Sequence, residues 1–434
     1  MKAFAAYAML PTGLARDVAF DVQDGRFVSV TPGSAAGDAT RLPGIVLPGF
    51  ANCHSHAFHR ALRGRTSEVG GDFWTWRKRM YAVAERLDPD SYLSLARATY
   101  AEMALSGVTS VGEFHYLHHA PGGQRYSDAN AMAEALRQAA TDAGIRLTLL
   151  DTCYLTGGLS GDGHLPLDEV QLRFADDDAA SWAARVDELT PSGGMKVGAA
   201  IHSVRAVPRE QISTVVFASG QKPLHVHLSE QRAENEACQE YYGKTPTALL
   251  DDVGALGVHT TAVHATHLTA ADIMTLTGSG STACFCPTTE RDLADGIGPA
   301  RVLLDAGARL SLGSDQHTIT DMLEEARALE MNERLVSSRR GRFQPAELLA
   351  TLTCHDSLGW DSGQLAAGAR ADLVAVRLDT ASTAGTSPSD VMLTASKADI
   401  DSVMVDGRFI VASGQHLLGD VGSLLGEAIE PLWA

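Results

Sequence analysis

The strongest local chemical feature of the chain is a pair of histidines one residue apart, His54-Ser55-His56. Residues i and i+2 of a β-strand point to the same side, so both imidazoles can face one metal ion. Alone the pattern is weak, because packed or solvated histidines can share that spacing. His227, His264 and Asp315 strengthen it: each falls near the end of a later apolar run. Imidazole nitrogens joined by one carboxylate suit a divalent metal such as zinc. Glu230 follows His227 by three residues, beyond the strand, where a carboxylate can reach water at a metal without being a ligand. His225-Val226-His227 repeats the i, i+2 spacing. His225 falls about 6–7 Å back along the strand and reads as packed, leaving His227 as the ligand.

Other motifs read more plainly. Gly243-Lys244-Thr245 resembles the end of a phosphate loop, but Cys238 occupies the upstream glycine position. Gly278-Ser279-Gly280 precedes its strand, whereas a dinucleotide turn follows one. Both read as loops. Cys284-Phe285-Cys286 reads as a buried strand, and His118, His119 and His317 as solvent-facing loop histidines. The aromatic cluster Phe73-Trp74-Thr75-Trp76 is either plain packing or a pocket wall.

The elements that must carry these groups follow from the apolar pattern. Eight runs rich in Val, Leu and Ala span residues 45–56, 108–115, 146–154, 196–203, 223–230, 260–267, 281–290 and 309–317. Helical segments separate them, at 90–106, 128–144, 168–189, 208–220 and 299–307. Strands alternating with helices predict a parallel sheet, and eight repeats predict a closed (β/α)8 TIM barrel over residues 45–364. An open doubly wound sheet is the competitor. Active groups of a barrel sit at the C-terminal ends of its strands, where His54, His56, His115, His202, His227, Glu230, His264 and Asp315 all fall. Residues 1–44 and 365–434 read instead as short strands and turns, at 18–22, 27–30, 371–378, 401–405 and 408–411. Neither end can build a core alone, so the two are expected to combine into one small β-sandwich domain.

Composition sets the outer bounds. The 434 residues carry a net charge of −18, with 45% hydrophobic and 20% charged residues. That is ordinary globular composition. The charge argues against nucleic acid or an anionic membrane as main partner, but a local arginine pair can still receive a small anion. No apolar run approaches the ~18 residues of a transmembrane helix. The start, Met1-Lys2-Ala3-Phe4, lacks a signal peptide's apolar region, and six cysteines do not make a disulfide scaffold. A cytoplasmic location with reduced thiols is the expectation.

Taken together, these residues resemble the amidohydrolase superfamily. The resemblance rests on Pro48-Gly49-Phe50 before the paired histidines, the later histidines, Gly313-Ser314-Asp315, and the terminal segments at 368–374 and 405–407. Within the superfamily, residues 52–65, 73–81, 112–119, 200–207, 225–231 and 263–267 resemble the branch that deiminates N-formimidoyl-L-glutamate in histidine degradation. The resemblance implies one zinc on His54, His56, His227 and Asp315, and proton transfer by Glu230, His264 and Asp315. It implies substrate contacts from His59, Arg77, Tyr116, His202 and Arg205. At position 59 the family carries glutamine; the histidine here donates or accepts one hydrogen bond and can also charge. Iron is the alternative metal. The expected partner is a small anionic substrate, and the expected assembly a homodimer. Three other functions stay open: a purine or related heterocycle deaminase, an imidazolonepropionase, and a catalytically dead metal-binding barrel.

Overall fold

The computed structural model describes residues 1–66 and 73–434. The side chains of Phe73 and Trp74 lie outside the described residues, so the aromatic cluster is seen only from Thr75 onward.

Eight parallel strands form the central sheet: Phe50–Ser55, Val108–His115, Arg146–Cys153, Met195–Ile201, Leu224–Leu228, Thr260–His264, Thr282–Phe285 and Arg309–Leu312. They pair in chain order, and a bridge between Ser55 and Asp315 joins the first strand to the segment after the last. That closure rules out the open sheet and makes the fold a barrel of amidohydrolase type. The second and third strands are buried along their whole length. Burial on both faces explains why they read as continuous apolar runs rather than alternating ones.

Helices fill the crossovers. Pro89–Leu105 starts at a capping box in which the Asp88 carboxylate accepts from Ser91 N and Ser91 Oγ from Asp88 N. The segment expected as one helix over residues 168–189 is shorter and broken, with a 3-10 turn Gln171–Arg173 and a helix Ala179–Asp187 capped by Asp178. A small hairpin, Gly158–Ser160 with Gly163–Leu165, stands in the loop after the third strand.

A second eight-stranded sheet draws on both chain ends. Its strands run in the order Arg26–Thr31, Gly13–Gln23, Lys2–Leu10, Thr40–Pro48, Leu373–Val376, Ile400–Val405, Arg408–Ala412 and Gln415–His416. Thr40–Pro48 corrects the expected first run. Residues 45–48 belong to this second sheet, and the barrel begins only at Phe50. Gly49 is the pivot: a Cβ there would meet the Thr109 side chain at 2.5 Å. The last helix, Val421–Ile429, leaves this sheet and buries Val421, Leu425 and Ile429 in the core shared with the barrel helices.

One buried ion pair ties the two sheets. Arg146, at the start of the third barrel strand, is held by both carboxylate oxygens of Asp372, just before the strand Leu373–Val376. Asp372 also accepts from Asp406 N at 2.9 Å and from Ser362 Oγ. Burial would raise the Asp372 pKa, but the Arg146 charge and these donors hold it below its ordinary value. Stripping one partner from such a pair leaves an uncompensated charge in an apolar environment. We predict that Asp372→Ala lowers stability by about 3 kcal/mol in urea denaturation. A loss under ~1 kcal/mol would mean that Asp406, 3.1 Å from Arg146, suffices alone.

Candidate active site

His54 and Ser55 close the first barrel strand, and His56 follows directly. His227 lies one residue before the end of the fifth strand, and His264 ends the sixth. Asp315 lies three residues past the eighth, in a loop whose backbone is hydrogen-bonded to the first strand. Asp315 N donates to His54 O at 3.0 Å, and His56 N donates to Asp315 O at 3.1 Å. Gly313 allows this approach, because a Cβ there would meet His54 Cβ at 2.6 Å.

The side chains converge. His54 Nε2 lies 3.1 Å from His227 Nε2 and 3.3 Å from Asp315 Oδ1, and His56 Nε2 lies 3.4 Å from the same oxygen. A tetrahedral site with bonds of ~2.0–2.1 Å has ligand–ligand edges of ~3.3 Å. The spacing therefore fits one ion shared by His54, His56, His227 and Asp315. Tautomers agree with this for His56, whose Nδ1 lies 2.9 Å from Phe114 O and donates to it, leaving the Nε2 lone pair toward the centre. Burial lowers the pKa values of His54, His56 and His227, which favours the neutral form that binds metal.

The other groups stand around this centre. His264 Nε2 is 3.8 Å from Glu230 Oε1 and 3.9 Å from Asp315 Oδ2, and its Nδ1 is 3.5 Å from Glu290 Oε1. Burial would lower the His264 pKa, but the carboxylates of Glu290, Glu230 and Asp315 lift it to about 10. A divalent cation among the same groups works against that rise. The backbone of His264 is left-handed, with φ of +71°. Such a conformation is costly for a residue with a Cβ and is found where a site demands it.

A cavity of about 250 Å³ opens onto the centre. His59, Arg77, Tyr116, His202 and Arg205 all line it beside His56, His227, Glu230, His264 and Asp315. His59 Nε2 lies 2.8 Å from the Tyr116 hydroxyl. Burial, reinforced by the neighbouring His56, keeps the His59 imidazole well below its ordinary pKa and so neutral. Arg77 donates to Tyr81 Oη at 2.6 Å and to Gly157 O at 3.4 Å. His202 packs edge-on to Tyr154 and His227. Arg205 donates to Glu230 Oε2 at 2.8 Å and stands 3.7 Å from Glu234 Oε2. Trp76, Tyr154 and Phe174 complete the aromatic wall.

Several sequence readings are corrected. His118, His119 and His317 are buried, not solvent-facing. His115 is buried too, but it packs against His118 and Tyr92 instead of lining the cavity. His115, His118 and Asp151 lie near one another, yet Asp151 is occupied by Arg185 and Trp182, and His118 Nε2 donates to Thr152 O. This cluster is an ion-paired wedge behind the second and third strands. His225 is packed as expected, with Nε2 donating to Ser357 O at 2.9 Å. Cys284 and Cys286 are buried, and Gly243 and Gly280 cap helices. Glu234 and Glu290 are further buried carboxylates beside Arg205 and His264 that the sequence does not single out. Glu234 lies in the first turn of the helix Arg232–Tyr242 and Glu230 precedes that helix, so their spacing carries no helical signal.

Residues 45–410 match the family model described as the amidohydrolase family, and residues 2–43 match the formimidoylglutamate deiminase HutF N-terminal domain. The chain is 38% identical to the formimidoylglutamate deiminase of Pseudomonas aeruginosa, covering 95% of both chains. It is 31% identical to an 8-oxoguanine deaminase of the same organism, over 91% of this chain and 89% of the other. Among solved structures, an amidohydrolase from Brucella melitensis superposes with a TM-score of 0.92 at 30% identity, covering 100% of each chain.

The geometry gives a direct expectation for metal. Purified protein should hold about one divalent ion per chain by metal analysis. His56→Ala and Asp315→Ala should each lose it after dialysis; full occupancy in both variants would remove these residues from the ligand set.

Proposed function

The chain belongs to the amidohydrolase family, and from that premise we propose that it hydrolyses N-formimidoyl-L-glutamate to N-formyl-L-glutamate and ammonia. The observation that carries the reading is one cavity lined by His56, His227 and Asp315 of the centre, by Glu230 and His264, and by two arginines. A metal centre and an acid–base cluster suit many deaminases. Two arginines beside them suit a substrate with two carboxylates, since a guanidinium fork matches a carboxylate with two parallel hydrogen bonds.

His54, His56, His227 and Asp315 would hold one zinc, with iron(II) as the alternative. A zinc ion in such a site lowers the pKa of water to about 7 and supplies the nucleophile at neutral pH. A single ion is favoured because the fourth strand has no lysine at its C-terminal end to bridge a second one: Lys196 is its second residue, and its Nζ donates to Gly359 O. The protein side chains do the rest. Glu230 takes a proton from the attacking water and delivers it to the terminal nitrogen of the formimidoyl group. Asp315 Oδ2 orients that water. His264 faces the attacked carbon and stabilises the tetrahedral adduct. A C–O bond forms, Glu230 then relays the adduct's hydroxyl proton to the same nitrogen, and the C–N bond to that nitrogen breaks as the formyl C=O forms and ammonia leaves. The glutamate nitrogen stays bonded to the formyl carbon. Arg205 and Arg77 hold carboxylates, while His59 and Tyr116 shape the imino end.

Among the described residues, no helix is long and apolar enough to cross a membrane. We place the enzyme in the cytoplasm, acting on a small molecule.

Ammonia release from formimidoylglutamate, run beside a purine panel and with metal measured on the same sample, tests the whole reading. Turnover confined to the purines would overturn it. Glu230→Gln should keep the metal and lose turnover by ~10²-fold or more, because the amide keeps the shape and cannot shuttle a proton. Near-normal rates would take Glu230 out of the mechanism. Arg205→Met should weaken kcat/KM for the full substrate by ~2–4 kcal/mol. The loss should be smaller for an analogue lacking the carboxylate that Arg205 holds. Equal losses for both single-carboxylate analogues and the full substrate would show that Arg205 is no clamp. His59 is held neutral, so His59→Gln should leave the acid limb of the pH profile in place. A displacement of ~1 pH unit or more would show that His59 titrates in the working range.

A further inference from the structure

The loop after the eighth strand carries a buried histidine that the reaction above does not use. His317 has no exposed surface, and its backbone is left-handed with φ of +59°, as is that of Asp315 with φ of +45°. Its hydrogen bonds can be oriented from a backbone donor. Ser314 N donates to Asn52 Oδ1 at 2.9 Å, which fixes the amide and makes Asn52 Nδ2 the donor to Ser314 Oγ at 2.7 Å. The Ser314 hydroxyl then has one proton to give, and His317 Nδ1 is 3.1 Å away. That nitrogen is an acceptor, so the ring proton sits on Nε2 and is donated to Ser55 Oγ at 3.1 Å. Ser55 Oγ in turn donates to Glu113 Oε2 at 2.7 Å. The other oxygen of Glu113 accepts from Ala57 N at 2.6 Å. Arg63 braces the loop from outside, donating to His317 O and to Thr320 Oγ1.

Every member of this hydrogen-bonded relay is buried. Its two ends grip different parts of the same centre. Asn52, Ser55 and Ala57 are interleaved with His54 and His56 along the first strand and its exit, and Ser314 and His317 flank Asp315. Side chains alternate across a strand, so residues 54 and 56 face His227 and Asp315 while 55 faces the loop behind it.

We propose that His317, as the neutral Nε2–H tautomer, is a positioning residue for the metal centre: it locks the Asp315 loop onto the strand that carries His54 and His56. Without the lock, the loop keeps its backbone bonds, the Asn52–Ser314 contact and the Arg63 brace but loses its side-chain tie to Ser55, and the Asp315 carboxylate is held less firmly against the two imidazoles. Groups of this kind, one bond removed from a metal ligand, change metal affinity or activity by about 10–100-fold when removed. The inference rests on the ligand set proposed above, and the experiment separates the two.

Zinc affinity is measured by competition with a chromophoric chelator for the wild type, His317→Phe, His317→Gln, Ser55→Ala and the double variant that combines His317→Phe with Ser55→Ala. Thermal unfolding of each metal-free protein serves as the folding check. Phenylalanine keeps the ring volume and removes both bonds; glutamine keeps a donor toward Ser55. His317→Phe should weaken zinc binding about 10-fold or more, and His317→Gln should recover part of the loss. Ser55→Ala should lose a similar amount, and the double variant little more than either single one, because both cut the same relay. His317→Phe binding zinc as tightly as the wild type overturns the proposal, and so does an additive double variant. If His317→Phe does not fold, unchanged affinity in Ser55→Ala overturns it. A wild type that takes up no zinc overturns the ligand set and this inference with it.

Discussion

The structure turns on how its barrel closes. Asp315 N to His54 O and His56 N to Asp315 O are two backbone hydrogen bonds, at 3.0 and 3.1 Å, between the segments that follow the last and first strands. They set the Asp315 carboxylate against the paired histidines before any side chain is considered. Gly313 is there because nothing larger fits against His54. A sheet left open at this seam would carry the same side chains without bringing Asp315 against His54 and His56.

The cost of the arrangement is electrostatic. Glu230, Glu234, Glu290 and Asp315 are all buried around His264 and Arg205. Burial penalises each ionised carboxylate unless a partner or donor compensates. Glu234 shows the strain: burial raises its pKa, and only Arg205 and the backbone N–H groups of Ser229 and Glu230 pull it back. His264 shows the same field from the other side, as a buried imidazole driven toward its charged form. A divalent cation at the four-group centre relieves both effects. The acidic surroundings of that centre are an argument for the ion that needs no comparison with any other protein.

Much of this is legible in the sequence, for definite reasons. The barrel is legible because strands buried on both faces produce uninterrupted apolar runs, and the helices between them mark the crossovers. His54 and His56 are legible because a strand's period is 2, so their spacing alone puts them on one face. The failures share a different cause. His118, His119 and His317 mislead because loops at the active end of this barrel are covered by other loops, and polarity in a loop does not imply exposure. Lys2–Leu10 is not recognisable as a strand, since its alanines carry weak β-preference; its pairing with both Gly13–Gln23 and Thr40–Pro48 decides the matter. The first run extends across Gly49 in the sequence because apolar character does not change there. Only the chain's direction does.

The substrate side adds one further constraint. Arg205 is bonded to Glu230 and faces Glu234, so it is not an idle cation waiting for a carboxylate. In the proposed reading it must keep Glu230 in place and receive substrate at the same time. A guanidinium can do both, because its five N–H groups radiate in one plane and one edge can hold each carboxylate. A lysine could not, since a single ammonium offers no second edge at fixed geometry. The net charge of −18 makes this more than a detail. Long-range repulsion opposes a dicarboxylate, so in that reading capture occurs within a few ångströms of Arg77 and Arg205, inside the screening length of about 8 Å. In that reading the residue proposed to recognise the substrate is bonded to the residue proposed to move the proton, so substrate capture and the placement of Glu230 depend on one guanidinium.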